Sequence, residues 1–174
     1  MRSRQFRLRS GQSSHRGFNL VETAIATMLV GFLLVASLNS AGASLRNQTL
    51  TSQRVTAEFL ANGLMNEILS QDYMEPGLTS SAIGRESGEN GGSRANYDDV
   101  DDYRGWSASP PQNPDGSTMS GYTLWQQDAE VNWVNVDNIQ SVSGAESRVK
   151  CITVTISRNG IVLAKRVAVK VDAP

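Results

Sequence analysis

The stretch Gly17-Phe18-Asn19-Leu20-Val21-Glu22, with the apolar run TAIATMLVGFLLVASL at residues 23–38, decides the fold of this chain. The sixteen residues of that run carry no charge, and a basic head without any acidic residue precedes the stretch. The basic residues of the head are Arg2, Arg4, Arg7, Arg9 and Arg16. Membrane insertion keeps such positive charges on the cytoplasmic side of an apolar segment. The sequence therefore predicts one membrane-spanning helix, with the remainder of the chain outside the cytoplasm.

Glu22 is the unusual residue at the start of this helix. An ionised carboxylate at the start of a membrane-spanning segment has a high cost in free energy, so we expect it to have a charged partner or a functional role. The simpler alternative is that Glu22 lies at the level of the lipid headgroups of an ordinary anchor.

The motif from Gly17 to Glu22, behind its basic leader, resembles the cleavage and methylation signal of type IV prepilins and type II secretion pseudopilins. The resemblance implies that Gly17 is the last leader residue and Phe18 the first mature one. It implies a prepilin peptidase that cleaves between them and methylates the new amine. It also implies that Glu22 pairs with the Phe18 amine of a neighbouring subunit during filament assembly. Asn19 departs mildly from the family, which more often has Thr there.

The helical pattern of the sequence extends well beyond the predicted membrane span. A helix over residues 18–71 would be about 80 Å long at 1.5 Å per residue, and residues 18–38 alone match the roughly 20 residues needed to span a bilayer. The apolar side chains expected in this membrane and assembly stem are Leu20, Val21, Leu29, Val30, Phe32, Leu33, Leu34 and Val35. The expected organisation is a cleaved leader at 1–17, a transmembrane and assembly helix at 18–45, an amphipathic helix half at 46–72, an irregular region at 73–118 and a sheet at 119–174.

The second half of the helix is amphipathic. A set of apolar residues recurs at helical spacing, which predicts a helix face packed on a folded head. These residues are Val55, Phe59, Leu60, Leu64, Ile68 and Leu69. Residues 57–61 and 65–69 also resemble the corresponding region of I-type minor pseudopilins and V-type minor pilins. This second resemblance implies a minor rather than a major subunit.

Four carboxylates occur within five positions of the middle region, at Asp98, Asp99, Asp101 and Asp102. They repel one another unless a cation or several hydrogen-bond donors lie among them. Calcium takes six to eight oxygen ligands of this kind, so the cluster is a weak calcium candidate, although its spacing differs from the helix-loop-helix calcium pattern. The alternative is a solvated acidic turn.

The last third of the sequence predicts an antiparallel sheet of about four strands. Residues 122–127, 131–137, 149–157 and 163–171 are rich in aromatic and β-branched side chains, and the third alternates apolar residues with Thr. Arg158-Asn159-Gly160 predicts a two-residue hairpin, because Asn-Gly tolerates positive φ at both positions. The predicted fold class is α+β and pilin-like, with the long helix packed on this sheet.

Composition excludes several classes of function. Removing the leader leaves 11 basic against 17 acidic groups, a net −6 where the whole chain has −1, which argues against a nucleic-acid partner. The only histidine, His15, lies in the leader, so the mature chain has no Ser-His-Asp or Cys-His site. One cysteine, Cys151, excludes an intrachain disulfide. We therefore expect no enzyme, and no cofactor other than the calcium candidate.

The expected function is that of a structural minor pilin or pseudopilin in the bacterial inner membrane, with its head in the periplasm if the host is Gram-negative. Its partners would be the prepilin peptidase and N-methyltransferase and other filament subunits; a secretion pseudopilus and a pilus both fit. One alternative is an ordinary signal peptide cleaved after Ala43, in the small-x-small sequence Ala41-Gly42-Ala43. Another is an uncleaved, membrane-anchored binding domain. The three hypotheses differ in the first mature residue, which is Phe18, Ser44 or Met1.

Overall fold

A computed structural model describes residues 19–77, 82–89 and 93–172 of the chain. The chain divides into two compact units, at residues 1–47 and 48–174. The first contains the apolar stem. The second contains the amphipathic helix half, the irregular region and the sheet, and it holds the hydrophobic core.

One long helix precedes five strands. Helix α1 spans Leu20–Ser70, and two 3₁₀ turns follow at Arg94–Asn96 and Asp101–Tyr103. The strands are β1 at Trp106–Ala108, β2 at Trp125–Asn135, β3 at Asn138–Val142, β4 at Val149–Arg158 and β5 at Ile161–Val171. This order of one helix and then consecutive strands confirms the predicted α+β class.

All strand pairings in the sheet are antiparallel. The strand order is β1-β2-β4-β5, and β3 pairs with the end of β2 as a short hairpin. The alternation predicted for the third strand is confirmed in β4, where Ile152, Val154 and Ile156 are buried and the threonines between them are half-buried. Consecutive side chains of a strand point to opposite faces, so one face of β4 is packed.

The core lies between that face and the second half of α1. The helix residues that it buries share one face and are Ala57, Leu60, Ala61, Leu64, Met65 and Ile68. They belong to one cluster with Val131 of β2 and the buried side chains of β4. Full burial of a large aliphatic side chain contributes about 1.5–3 kcal/mol, so this face fixes α1 to the sheet. The periodicity predicted Val55, Phe59 and Leu69 on the same packed face, but all three are exposed.

The Asn-Gly hairpin between β4 and β5 is confirmed. Asn159 has φ 52° and Gly160 has φ 76°, as a type I′ turn requires. The register after this turn pairs Ile156 with Ala164, so β5 contributes only a small side chain to the packed face there. The larger apolar side chains of β5 point to the other face and are exposed at Val167, Val169 and Val171.

The strand boundaries differ from the sequence prediction in three places. The sequence predicts two strands here, at residues 122–127 and 131–137. The structure has one continuous strand, β2, that includes most of both ranges, because Asp128 and Glu130 lie on its solvent side. The short β1 lies in the region expected to be irregular. It pairs with the edge of β2 along residues Trp106 to Ala108. The third difference is β3, which was not predicted and lies after the second predicted strand, so the sheet has five strands rather than about four.

Candidate functional site

The apolar stem of α1 is exposed on all sides within the structure. All eight predicted stem side chains are at least 55 % exposed, whereas the helix face at residues 57–68 is buried. Within the described residues, α1 is the one helix long and apolar enough to cross a membrane. A helix that is apolar all round needs lipid or other helices around it, so the stem is a candidate membrane span.

Glu22 is exposed in the first turn of α1, beside Val21, Ile25 and Leu29. The hydroxyl groups nearby are satisfied within the helix, because Thr27 Oγ1 donates to the carbonyl oxygen of Thr23 at 3.0 Å. Glu22 is the only charged residue between positions 19 and 45. Among the described residues of the stem, from 19 to 45, Glu22 therefore has no oppositely charged side chain as a neighbour in sequence. The predicted processing residues Gly17 and Phe18, like His15, lie outside the described residues.

The predicted alternative cleavage site at Ala41-Gly42-Ala43 lies inside α1, which continues without a break to Ser70.

The four aspartates of the middle region divide into two environments. Asp99 and Asp101 are buried next to Lys150, which is itself buried. Lys150 Nζ lies 2.7 Å from Asp101 Oδ1 and also donates to the backbone carbonyl of Tyr73. Asp99 Oδ1 accepts from the backbone amide of Asp101 at 2.8 Å. Burial, then the hydrogen bond to Asp101 and the charge of Asp101, raise the pKa of Asp99 to about 9. Asp101 and Lys150 therefore form a buried ion pair, and Asp99 lies beside it.

Asp98 and Asp102 lie against glutamates instead. Carboxylate oxygens of Glu86, Glu89 and Asp102 all lie within 4.8 Å of one another, and so do those of Glu75, Glu89 and Asp98. Glu89 is common to both groups. We call these five side chains of the described residues the carboxylate cluster.

The carboxylate cluster carries unfavourable charge. Burial, then contact with Glu89, raises the pKa of Asp102 to about 7. The same causes raise the pKa of Glu86 to about 7. Burial and the nearby Asp98 raise the pKa of Glu75. Two carboxylates that share a site cannot both ionise easily, so the cluster favours protons or a cation.

A second ion pair holds the irregular region to the helix. Arg94 Nε lies 2.7 Å from Glu67 Oε1, and Arg94 Nη2 lies 3.1 Å from Glu67 Oε2. Tyr103 also donates to Glu67 Oε1 at 3.0 Å, and the guanidinium lies 4.2 Å from the ring centroid of Trp106. This pairing positions the backbone from which the aspartates project.

Sequence reasoning missed the glutamates of the cluster. Glu75, Glu86 and Glu89 are separated along the chain and lie among Gly and Ser residues, so no local spacing marks them. The available signal was the content of GRESGEN at residues 84–90, a polar stretch with two acidic residues. A stretch of this composition, with two Gly, one Ser and no apolar residue, predicts only a surface loop.

Three comparisons with known proteins identify no relative of this chain. No family model, no curated protein and no solved structure matches the chain.

Proposed function

We propose that this protein is a structural subunit, of minor type, in a type IV pilus or a type II secretion pseudopilus. A prepilin peptidase cleaves it between Gly17 and Phe18 and methylates Phe18. The processed chain then remains in the inner membrane through α1 until it joins a filament with related subunits.

The observation that carries this proposal is the contrast between the two halves of α1. The sheet buries one face of the second half, while the side chains of the first half are exposed in all directions. A simple anchor needs an apolar surface and no more. This stem adds a single carboxylate, Glu22, in its first turn. In a filament, that carboxylate meets the positive amine of Phe18 on a neighbouring subunit, and pairing makes its burial tolerable.

The sheet supports assembly as well. Strand β5 is an edge strand, with unpaired backbone groups on its free side. Its outward valines, at positions 167, 169 and 171, form an exposed apolar stripe. Open edges of this kind pair readily with other chains, so contacts through both stem and head are expected.

The test is the identity of the first residue of the mature protein. The chain is isolated from a native membrane fraction, and its N-terminal peptide is analysed by mass spectrometry. A peptide that begins at Phe18 and carries one extra methyl group supports the proposal. A peptide that begins at Ser44 identifies a secreted protein, and one that begins at Met1 identifies an uncleaved anchor. Either of the last two results overturns the proposal.

A further inference from the structure

We propose that the loop end of the β4–β5 hairpin docks on the lipid surface of the membrane that holds the stem. This loop end, which we call the hairpin tip, consists of residues 158–162 together with Leu124. The proposal requires that the stem spans a membrane. It does not depend on cleavage at Gly17 or on filament assembly, because it concerns the single subunit in the bilayer.

The hairpin tip carries three exposed aliphatic side chains. Leu124, Ile161 and Val162 are 54 %, 66 % and 58 % exposed. The backbone amide of Asn159 donates to the carbonyl oxygen of Leu124 at 3.0 Å, so Leu124 lies beside the turn. Exposed apolar side chains that are grouped in this way mark a surface that contacts another molecule or a membrane.

The charged side chains of this hairpin are basic. From residue 147 to residue 171 the sequence has six basic residues and no acidic residue. Arg166 is paired with Glu58, but Arg158 and Lys165 form no salt bridge within the described ranges. Arg158 is half-buried and Lys165 is exposed. The hairpin tip therefore has positive charge, not balanced by a carboxylate, next to its aliphatic side chains.

Contacts between β5 and α1 show how the strand lies along the helix. Arg166 contacts the side chains of Glu58 and Asn62. Four residues later, Lys170 donates to the backbone carbonyl of Leu69 at 3.2 Å. Later residues of the strand thus contact later residues of the helix while the chain reaches the hairpin tip by moving back towards the start of β5. The hairpin tip therefore lies beyond Glu58, towards the beginning of the packed half of α1.

The spacing of these contacts gives the level of the hairpin tip. From Arg166 to Lys170 the strand advances about 13 Å, at roughly 3.3 Å per residue. Their contacts on α1 are about ten residues apart, which is about 15 Å at 1.5 Å per residue. The two elements therefore run nearly side by side, and Ile161, about 16 Å before Arg166 on the strand, lies at the level of about residue 49. The second compact unit begins at residue 48, so the hairpin tip is at the end of this unit from which the chain leads into the stem.

These features together select a lipid surface as the partner. Binding of a protein to a membrane surface increases with the apolar area that enters the interface and with the attraction of basic side chains to anionic lipids. The hairpin tip offers both kinds of group. A protein partner would need carboxylates opposite Arg158 and Lys165, whereas a bilayer with anionic lipid supplies negative charge wherever the stem is inserted.

The experiment measures how close the hairpin tip is to lipid. The full chain carries Cys151→Ser, so that no native thiol is present, and the single substitution Ile161→Cys. The new thiol is labelled with an environment-sensitive fluorophore. The protein is inserted into nanodiscs of phosphatidylcholine and phosphatidylglycerol that contain a lipid with a nitroxide quencher on its acyl chain.

Val142→Cys in the same background is the matched control. Val142 and Ile161 are both 66 % exposed, but they lie at opposite ends of the sheet. Val142 pairs with Val134 near the end of β2, whereas the hairpin tip adjoins Trp125 at its beginning. We expect quenching at position 161 to be at least about two-fold stronger than at position 142, because only the hairpin tip enters the interface.

The lipid composition tests the electrostatic part of the proposal. Replacing phosphatidylglycerol by phosphatidylcholine should reduce quenching at position 161. Lys165→Gln should weaken docking on anionic discs by up to about five-fold, the effect of one basic side chain near such a surface. If neither change reduces quenching at position 161, the attraction to anionic lipid is wrong.

Near-ultraviolet circular dichroism checks that each variant is folded, and Val162→Cys replaces Ile161→Cys if the latter fails to fold. Equal quenching at positions 161 and 142, or quenching at neither, overturns the proposal. A chain that does not co-elute with the nanodiscs also overturns it, because the stem is then not a membrane span. The processing proposed at Gly17 is tested separately, by the N-terminal peptide.

Discussion

Arg94 and Glu67 form a two-point ion pair across 27 residues of sequence, with Nε 2.7 Å from Oε1 and Nη2 3.1 Å from Oε2. The arginine side chain is 1 % exposed and the glutamate side chain 19 % exposed. The pair joins the irregular region to the second half of α1.

We expect Arg94→Met to lower the free energy of unfolding by about 3–5 kcal/mol, because it leaves Glu67 as a largely buried charge without its partner. Arg148→Met is the control. Its pair with Asp172 is at the surface, with side chains 61 % and 32 % exposed, and exposed pairs contribute about 0–1 kcal/mol. Urea denaturation of the full chain in detergent measures both. Equal losses for the two variants would contradict the importance of burial.

Lys150 provides a second stability test. Lys150→Met removes the positive charge next to Asp101 and should also destabilise the head by about 3–5 kcal/mol, since Asp101 is then a buried carboxylate without a cation. Adding Asp101→Leu removes that carboxylate, and the double variant should recover much of the loss. A double-mutant cycle isolates the coupling between the two residues. Additive losses would show that the pair is not coupled.

Alanine substitutions at two glycines distinguish the effect of backbone conformation on stability from the effect of packing. An added Cβ meets nothing within 4 Å at Gly160 or at Gly63. Gly160 has φ +76, where a side chain is strained, so Gly160→Ala should destabilise the hairpin by about 1 kcal/mol. Gly63 is inside α1, where Ala is favoured over Gly by about 0.8–1 kcal/mol, so Gly63→Ala should stabilise. Thermal unfolding of both variants checks the opposite signs.

Glu22 tests the assembly mechanism. Glu22→Ala should still be cleaved and inserted, because the processing motif at Gly17 and Phe18 is intact, but it should fail to enter filaments. The measurement is co-purification with partner subunits from the native membrane, with Glu130→Ala on the exposed side of β2 as the control. Normal co-purification of Glu22→Ala would contradict pairing between Glu22 and a neighbouring amine.

The carboxylate cluster predicts an unusual response to pH in protein freed of metal by EDTA. Burial and contact with Glu89 raise the pKa of Glu86 and Asp102 to about 7, from ordinary values of 4.5 and 3.8. As pH falls from 8 towards 5, the folded chain therefore binds protons that the unfolded chain does not. Stability should rise over this range. Melting temperatures at pH 8 and pH 6 measure the effect, and Glu89→Gln should reduce it.

The sequence predicted the parts of the fold that depend on local patterns. The apolar stem, the alternation of β4 and the Asn-Gly hairpin all follow from periodicity or from one turn type. The sequence could not predict that β2 is one strand, because Asp128 and Glu130 are residues typical of a turn. Only the pairing of β2 with its neighbouring strands shows that both side chains lie on the solvent side of one continuous strand. It also could not show which face of β5 is packed. The register against β4, which pairs Ile156 with Ala164, decides that.

The cluster was only half predicted for a similar reason. Four close aspartates are visible in the sequence, but their roles depend on distant partners. Lys150 forms an ion pair with Asp101, while the carboxylates of Glu86 and Glu89 lie close to that of Asp102. Such pairings arise when separate loops meet, and no spacing along the chain records them.

The loops that carry the cluster have a mechanical consequence. Glu75, Glu86, Glu89, Asp98 and Asp102 lie outside the strands and α1, so few backbone hydrogen bonds resist the pulling apart of their segments. Small extracellular domains often use disulfides for this purpose, but one cysteine cannot form an intrachain cross-link. The ion pairs of Arg94 with Glu67 and of Lys150 with Asp101 tie this region to α1 and β4 non-covalently. Under a pulling force, loss of either pair would lower the force at which this region unravels, while the sheet itself stayed intact.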